Sequence, residues 1–456
     1  MKMQKRKKET NMTQGVIWKQ LLLFALPLMA GNVFQILYNT VDSIVVGNFV
    51  GKEALAAVGS VGPIINSLIG FFVGLSTGAS VVISQAYGAG DAEKVSRTVH
   101  TTLVMTLVLC VLFSIVGVAA TPTMLRLMST PEDVFGEASG YLKIYFAGVS
   151  GLMIYNMGAG ILRAVGDSKR PLYFLIFSAC TNTVLDVLFV AKMNMGIAGA
   201  AWATVIAQVL SALLILAVLS RSDGDYRIRL SRLQIDPANL KEIVSLGLPA
   251  AIQMVITSFS NVFVQAYINQ FGSSVMAGWS AYNKIDQFIM LPMQSVSLAV
   301  TTFVGQNYGA RRIDRVKKGS GTALRLAMLV TFILMIPVLL FAPMLVELFN
   351  HEAEVIGYGA MLLRMLSPFY LVCCINQVYA CSLRGLGNTK APMVIMLGSF
   401  VVFRQIYLFV ISRLIGTVRA VAFGYPAGWI VCSLILLIYY RRYTTKRFGH
   451  VETGKN

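Results

Sequence analysis

The chain has 456 residues, of which 56% are hydrophobic and only 13% charged, and its mean hydropathy is +0.70. A soluble domain of any class is far less apolar, so the composition identifies a membrane protein. The formal net charge of +18 is therefore informative through its distribution and not as a nucleic-acid-binding surface.

Apolar runs of about 20 residues, the length that crosses a hydrocarbon core of about 30 Å, recur between short charged breaks. They define about twelve spans, near 17–47, 54–84, 95–121, 136–162, 170–192, 196–220, 242–269, 275–306, 316–342, 354–383, 391–412 and 416–440. The first span follows a basic segment, residues 1–16. It continues through Pro27 and polar residues without a small-residue cleavage pattern, so it reads as a helix and not as a cleaved leader. Basic residues gather on alternate breaks: Lys5 to Lys8, Lys94 and Arg97, Lys169 and Arg170, Arg221 to Arg232, Arg311 to Lys318, Arg384 and Lys390, and Arg441 to Arg447. The other breaks hold Glu53, Glu132, Asp133, Glu137, Glu347, Glu352 and Glu354. The positive-inside rule then puts the basic breaks and both termini in the cytoplasm of a multi-pass cell-membrane protein. Residues 221–241 form the one substantial linker, which leaves a first lobe over 17–220, a second over 242–440 and a basic tail over 441–456.

The second lobe repeats the first. Gln85-Ala86-Tyr87-Gly88-Ala89-Gly90 returns as Gln306-Asn307-Tyr308-Gly309-Ala310-Arg311, and Arg163-Ala164-Val165-Gly166-Asp167 returns as Arg384-Gly385-Leu386-Gly387-Asn388, both 221 residues later. Leu26-Pro27 and Asn39 recur as Leu248-Pro249 and Asn261 at an offset of 222. Six spans per repeat give two lobes of the same orientation, so the expected fold is all-α and integral to the membrane, built on a parallel internal repeat.

No G-x-x-x-x-G-K-[ST] phosphate loop is present, so work against a gradient must draw on another gradient. Six cysteines inside spans read as packing residues, and three scattered histidines show no metal spacing. No metal, disulfide framework or cofactor is expected. Ionisable groups within the membrane then become the candidates for coupling, because each is costly there. In the first span Asn32, Gln35, Asn39 and Asp42 share one face, which must meet protein or water and not lipid. Asn182 and Asp186 share a face of the fifth span, and Thr204 falls at similar depth in the sixth. Asp42, Asn182, Asp186 and Thr204 together offer oxygen ligands for a hard monovalent cation, or a protonatable carboxylate pair. Hydration of separate helix-end aspartates is the alternative.

Gln35, Tyr38, Asn39, Gln253, Asn261, Gln265, Tyr282 and Asn376 are candidates to line a cavity or contact substrate, with interhelical hydrogen bonding as the competing role. Lys284, Asp286 and Arg404 read as structural or gating charges, with an Asp286–Arg404 pair expected and Lys284 unassigned. Pro27 and Pro249 occupy equivalent helix positions, where each removes a backbone hydrogen bond. Pro27 is the favoured hinge, a static kink being the alternative.

The run Leu26-Pro27 through Asn39-Thr40-Val41-Asp42, the segment Phe303-Val304-Gly305-Gln306-Asn307-Tyr308-Gly309-Ala310 and the segment Leu162 to Pro171 resemble the multidrug and toxic compound extrusion family. That resemblance spans nearly the whole chain. It implies an outward drug antiporter, and in members with an amino-terminal cation site the residues matching Asp42, Asn182, Asp186 and Thr204 are implicated. Some members also carry acids in the seventh and tenth spans, but this chain has Gln253, Thr257, Asn261, Gln265, Asn376 and Gln377 there, so a site of that kind is not expected.

The expected function is a sodium- or proton-coupled antiporter, active as a monomer, that exports small amphipathic and cationic compounds and meets membrane lipids but no nucleic acid. A flippase for a lipid-linked precursor is the alternative. An integral membrane enzyme fits poorly, because the loops are short and carry no catalytic cluster.

Overall fold

A computed structural model describes residues 11–128 and 130–453. The basic cluster Lys5 to Lys8 and the last three residues lie outside that description. Among the described residues all regular structure is helical, in seventeen α-helices with short 3₁₀ and π segments. Eleven helical stretches are long and apolar enough to cross a membrane. Glu132–Ala147 and Val149–Ala164, bent by 48° at Gly148, supply a twelfth when taken as one span.

In the first repeat these are α1 (Ile17–Phe49), α2 (Lys52–Ala89), α3 (Ala92–Leu127), the bent pair α4 (Glu132–Ala147) and α5 (Val149–Ala164), α6 (Lys169–Asp186) with its π extension Val187–Lys192, and α7 (Gly196–Arg221). The second repeat runs through α8 (Pro237–Asn269), α9 (Ser273–Gly309), α10 (Ile313–Leu340), the short α11 (Ala342–Glu347), α12 (Ala353–Leu366) and α13 (Tyr370–Gly385). It ends with α14 (Lys390–Leu397), a π segment Gly398–Phe403, α15 (Arg404–Leu414), α16 (Val418–Ala422) and α17 (Gly424–Thr453). Apolar side chains such as Leu107, Val108, Val111, Leu112, Ile115 and Val116 stay exposed along α3, the arrangement expected of a surface that meets hydrocarbon.

The repeated motifs prove to be scaffold. After α5 and after α13 the chain reverses through Gly166 (φ +94°) and Gly387 (φ +82°), a left-handed conformation that glycine adopts without a Cβ clash. The next residue caps the following helix: Asp167 Oδ1 accepts from the backbone N–H groups of Lys169 and Arg170, both at 3.1 Å, and Asn388 Oδ1 accepts from that of Ala391 at 3.3 Å. The aspartate also pairs with Arg170 at 3.3 Å.

Two compact units result, but their limits do not coincide with the repeat. Among the described residues one comprises Asn11 and Leu26–Ala251, the other Met12–Ala25 and 252–453. Thus α1 changes unit between Ala25 and Leu26, next to Pro27, and α8 changes unit between Ala251 and Ile252, two residues past Pro249. Each of these helices lacks a backbone hydrogen bond close to its change of unit, because proline has no N–H to donate.

Within the first unit α2 packs on α3, α4 and α5, while α7 packs on α4, α5 and α6. The start of α8 lies against α2 with almost no space between backbones: a Cβ built on Gly74 would meet Ala251 Cα at 2.4 Å, and one on Gly78 would meet the Gly247 nitrogen at 2.4 Å. Gly74 and Gly78 are a G-x-x-x-G pair, the pattern that lets membrane helices approach closely. Gly78→Val should force the helices apart and destabilise the fold by about 1–3 kcal/mol. A melting temperature in detergent equal to wild type would show that α8 does not need this approach. The linker is tied to the same unit, since the Arg229 backbone N–H donates to His100 Nε2 at 3.0 Å and Lys94 pairs with Glu242 at 2.9 Å.

In the second unit α9 is central, packed by α10, α12 and α13. Residues leading into α1 dock here. The Met12 backbone N–H donates to Gln306 Oε1 at 3.1 Å, Asn307 donates to the Met12 carbonyl at 3.0 Å, and Arg315 donates to the Gly15 carbonyl at 2.9 Å and to Gln20 Oε1 at 3.1 Å. The Gln-Asn-Tyr-Gly copy of the repeated motif therefore anchors the start of the first span.

Candidate functional site: a buried carboxylate pair

Three elements of the first unit bring four polar residues together. Asp42 comes from α1, Asn182 and Asp186 from successive turns of one face of α6, and Thr204 from α7, which packs along α6. Asp186 is the last residue of α6 before the backbone widens into the π segment Val187–Lys192, an irregularity frequent at functional sites. All four are buried, with Asp42 8% exposed and Asp186 0%. The two carboxyl groups lie within electrostatic range of each other, and Asn182 Nδ2 donates to Thr204 Oγ1 at 3.3 Å.

Asp42 Oδ1, Asn182 Oδ1 and both carboxyl oxygens of Asp186 are buried without a hydrogen-bond partner. Buried polar atoms are almost always paired, and the cost of leaving an ionised carboxylate unpaired is large. A bound cation or a proton would satisfy these four acceptor oxygens. Sodium would take them as hard oxygen ligands, and a proton would bridge or neutralise the two acids.

Tyrosines close the site. The Tyr38 hydroxyl, a cavity or substrate candidate from the sequence, adjoins Thr204 and lies within electrostatic range of both carboxylates. Tyr141 and Tyr145, one turn apart on α4, stack with centroids 6.5 Å apart. Tyr141 lies within range of both aspartates, and Tyr145 is near Gln208 of α7. Sequence reasoning missed Tyr141, Tyr145 and Gln208. The available signal was a pair of tyrosines at i,i+4 deep in an apolar span, where phenylalanine would pack without a hydroxyl to satisfy. Gln35 is half-buried and Asn39 exposed on α1.

The polar candidates of the second unit do not form a comparable cluster. Gln253 is buried and accepts from Arg384 at 2.7 Å, Asn376 is buried and donates to Ser433 at 3.2 Å, and half-buried Gln265 donates to Asn269 at 2.7 Å. Tyr282 is buried, its hydroxyl 3.4 Å from both Asp286 Oδ1 and the Tyr370 hydroxyl. For Gln253, Asn376 and Tyr282 these contacts are helix-packing bonds. The expected Asp286–Arg404 pair does not form. Asp286 is taken by tyrosine hydroxyls, whereas Arg404 donates to Ser260 and Asn261 and lies over the Tyr425 ring. The expectation rested on pairing two membrane charges within one lobe, which does not fix the direction of either side chain around its helix. Lys284 is exposed, with Nζ 5.4 Å from the centroid of Phe349.

Similar proteins agree with this architecture. The chain is 31% identical to the probable multidrug resistance protein YoeA of Bacillus subtilis over 93% of its own length and 94% of the relative's. It is likewise 31% identical to the probable multidrug resistance protein YpnP of the same organism, over 95% and 97%. Its backbone superposes with a TM-score of 0.90, at 25% identity, on an outward-facing multidrug resistance MATE family transporter of the MOP superfamily, covering 96% of this chain and 98% of that one. The MatE family model matches residues 27–188 and again residues 249–410, two blocks offset by the same 222 residues as the two prolines of the repeat. Duplication, helical spans and family model thus coincide along the chain, which belongs to the MatE family of membrane transporters.

Proposed function

We propose that this protein is a cation-coupled antiporter of the cell membrane that exports amphipathic organic compounds bearing positive charge, with its basic helix ends and both termini in the cytoplasm. The observation that carries this reading is the buried Asp42–Asp186 pair with its unpartnered oxygens. The names of the related multidrug resistance proteins support the class of substrate.

Sodium or a proton entering from outside occupies the oxygens of Asp42, Asn182, Asp186 and Thr204 and neutralises the carboxylates. A positively charged substrate held by the same negative field then loses its attraction and leaves. Coupling arises because cation and substrate stabilise different states, each by its difference in affinity between them. Pro27, next to the position where α1 changes unit, is the hinge by which Asp42 moves with the cycle.

Dye efflux from proteoliposomes, with sodium and pH gradients imposed separately, tests the proposal. Efflux driven by one of the two gradients and abolished when it is collapsed is the expected result. Efflux indifferent to both gradients would rule out this coupling.

A further inference from the structure

On the second unit an open cleft runs between α12 and the start of α16, as two adjoining cavities of about 560 and 550 Å³ that share Gly357, Met361 and Arg419. Its apolar lining is Ile356, Met361 and Met365 of α12 with Pro343 of α11. Gly357 keeps it open, since a Cβ built there would meet nothing within 4 Å. Two exposed arginines, Arg364 and Arg419, stand in this apolar surface. Arg364 Nε donates to the Leu339 carbonyl at 3.3 Å. Among the described residues its other N–H groups and the whole Arg419 guanidinium have no acceptor, and neither arginine has a carboxylate within 4 Å. The one acid of the lining, Glu354, accepts from Ser274 Oγ at 2.8 Å.

The cleft lies at a membrane boundary. Leu339, which Arg364 contacts, is about 39 Å along α10 from Ile313, past the end of a hydrocarbon core of about 30 Å. Arg419 opens the span Val418–Phe448, roughly 33 Å before the basic pair Arg441 and Arg442. Both arginines therefore sit at headgroup level, at the ends of their spans remote from the basic breaks. Large apolar side chains stay exposed beside the cleft: Leu340, Phe341 and Met344 next to Pro343, and Leu414 and Ile415 just before Thr417. Exposed apolar surface of this extent marks contact with hydrocarbon, and fixed positive charge at its edge attracts an anionic head. The residues 221 positions before Arg364 and Arg419 are Lys143 and Ala198, so the first repeat lacks the second cation.

We propose that this cleft binds an anionic phospholipid of the surrounding bilayer. The phosphodiester lies between the Arg364 and Arg419 guanidinium groups, whose N–H forks suit phosphate oxygens. An acyl chain follows Ile356, Met361 and Met365, the flexible methionines adapting to its shape. A zwitterionic head would set its ammonium group against two arginines, and a soluble phosphate would leave the apolar lining uncovered. The site stands apart from the buried carboxylate pair and does not depend on the export reading.

The probes are phosphatidylglycerol, phosphatidylcholine with the same dioleoyl chains, and glycerol phosphate, which carries the charge but no chain. Binding to the purified full-length protein in neutral detergent is followed by native mass spectrometry during lipid titration, and by melting temperature. Wild type should bind phosphatidylglycerol about tenfold more tightly than phosphatidylcholine, the scale of one charge-assisted hydrogen bond. R419Q removes a side chain that makes no hydrogen bond within the protein, and it should lose most of that preference. G357L sends a side chain into the open cleft and should weaken phosphatidylglycerol binding several-fold with both arginines in place. A wild-type protein without preference, an R419Q variant that retains it, or a G357L variant with wild-type affinity overturns the site. Should R419Q not purify as folded protein, G357L decides alone. Glycerol phosphate that raises the melting temperature as much as phosphatidylglycerol overturns the lipid and leaves a site for a soluble anion.

Discussion

Asp186→Asn and Asp42→Asn should each reduce gradient-driven efflux in proteoliposomes to the rate of protein-free liposomes, while both proteins remain folded. The amide keeps the size of the carboxylate and one of its acceptor oxygens, so packing around α1, α6 and α7 is preserved. It cannot take up a proton or contribute a negative charge to a bound cation. Neither change introduces a cavity, and each removes a buried charge whose desolvation opposes folding. Loss of transport without loss of melting temperature would therefore locate the defect in coupling. Removing one charge of an interacting pair takes away the differential affinity on which exchange depends, a coupling term of about 1–3 kcal/mol in typical two-site systems. Wild-type efflux rates in both variants would sink the mechanism, because α1 and α6 would then contribute nothing ionic to transport.

The coupling cation should also stabilise the wild-type protein against heat. It binds the assembled oxygens of Asp42, Asn182, Asp186 and Thr204 but not the unfolded chain, in which those residues are far apart. Stability must then rise with cation concentration, by about 2.7 kcal/mol at a hundredfold excess over the dissociation constant. For sodium coupling the melting temperature climbs with sodium at fixed pH and ionic strength, with choline as control. For proton coupling it climbs as pH falls through the range in which the pair takes up its proton. The response should disappear in Asp186→Asn, which removes half of the charge. Equal responses from wild type and variant would place the stabilising ion elsewhere.

Much of this architecture was legible in the sequence because hydropathy and span length are local properties. Gly166 and Gly387 recur at the same place in the repeat, and the structure supplies a reason in the positive φ each adopts. Asp42, Asn182, Asp186 and Thr204 could be grouped by depth, since counting residues along a helix measures height in the membrane. Direction around the helix was not available in the same way. Charge pairing alone suggested Arg404 for Asp286, but Asp286 meets Tyr282 and Arg404 meets Asn261. It also left Tyr141 and Tyr145 unremarked, because a tyrosine in a span reads equally as interface belt, packing residue or site wall. Gln253 and Asn376 showed the converse: both stood as cavity candidates, yet each is buried and bonded within its own unit.

The amino-acid sequence by itself determined that this is a duplicated, all-helical membrane protein with acids in one repeat that the other lacks, because composition, periodicity and self-similarity are written along the chain. Only the tertiary structure decided which buried groups share a neighbourhood. It set the carboxylate pair beside Tyr38, left three of its oxygens without a hydrogen-bond partner, gave Arg404 no counter-charge, and moved the unit boundaries inside α1 and α8. The physical reason is that pairing depends on how helices are rotated against one another, and that rotation is settled by side-chain packing across elements and not by any one element's own pattern.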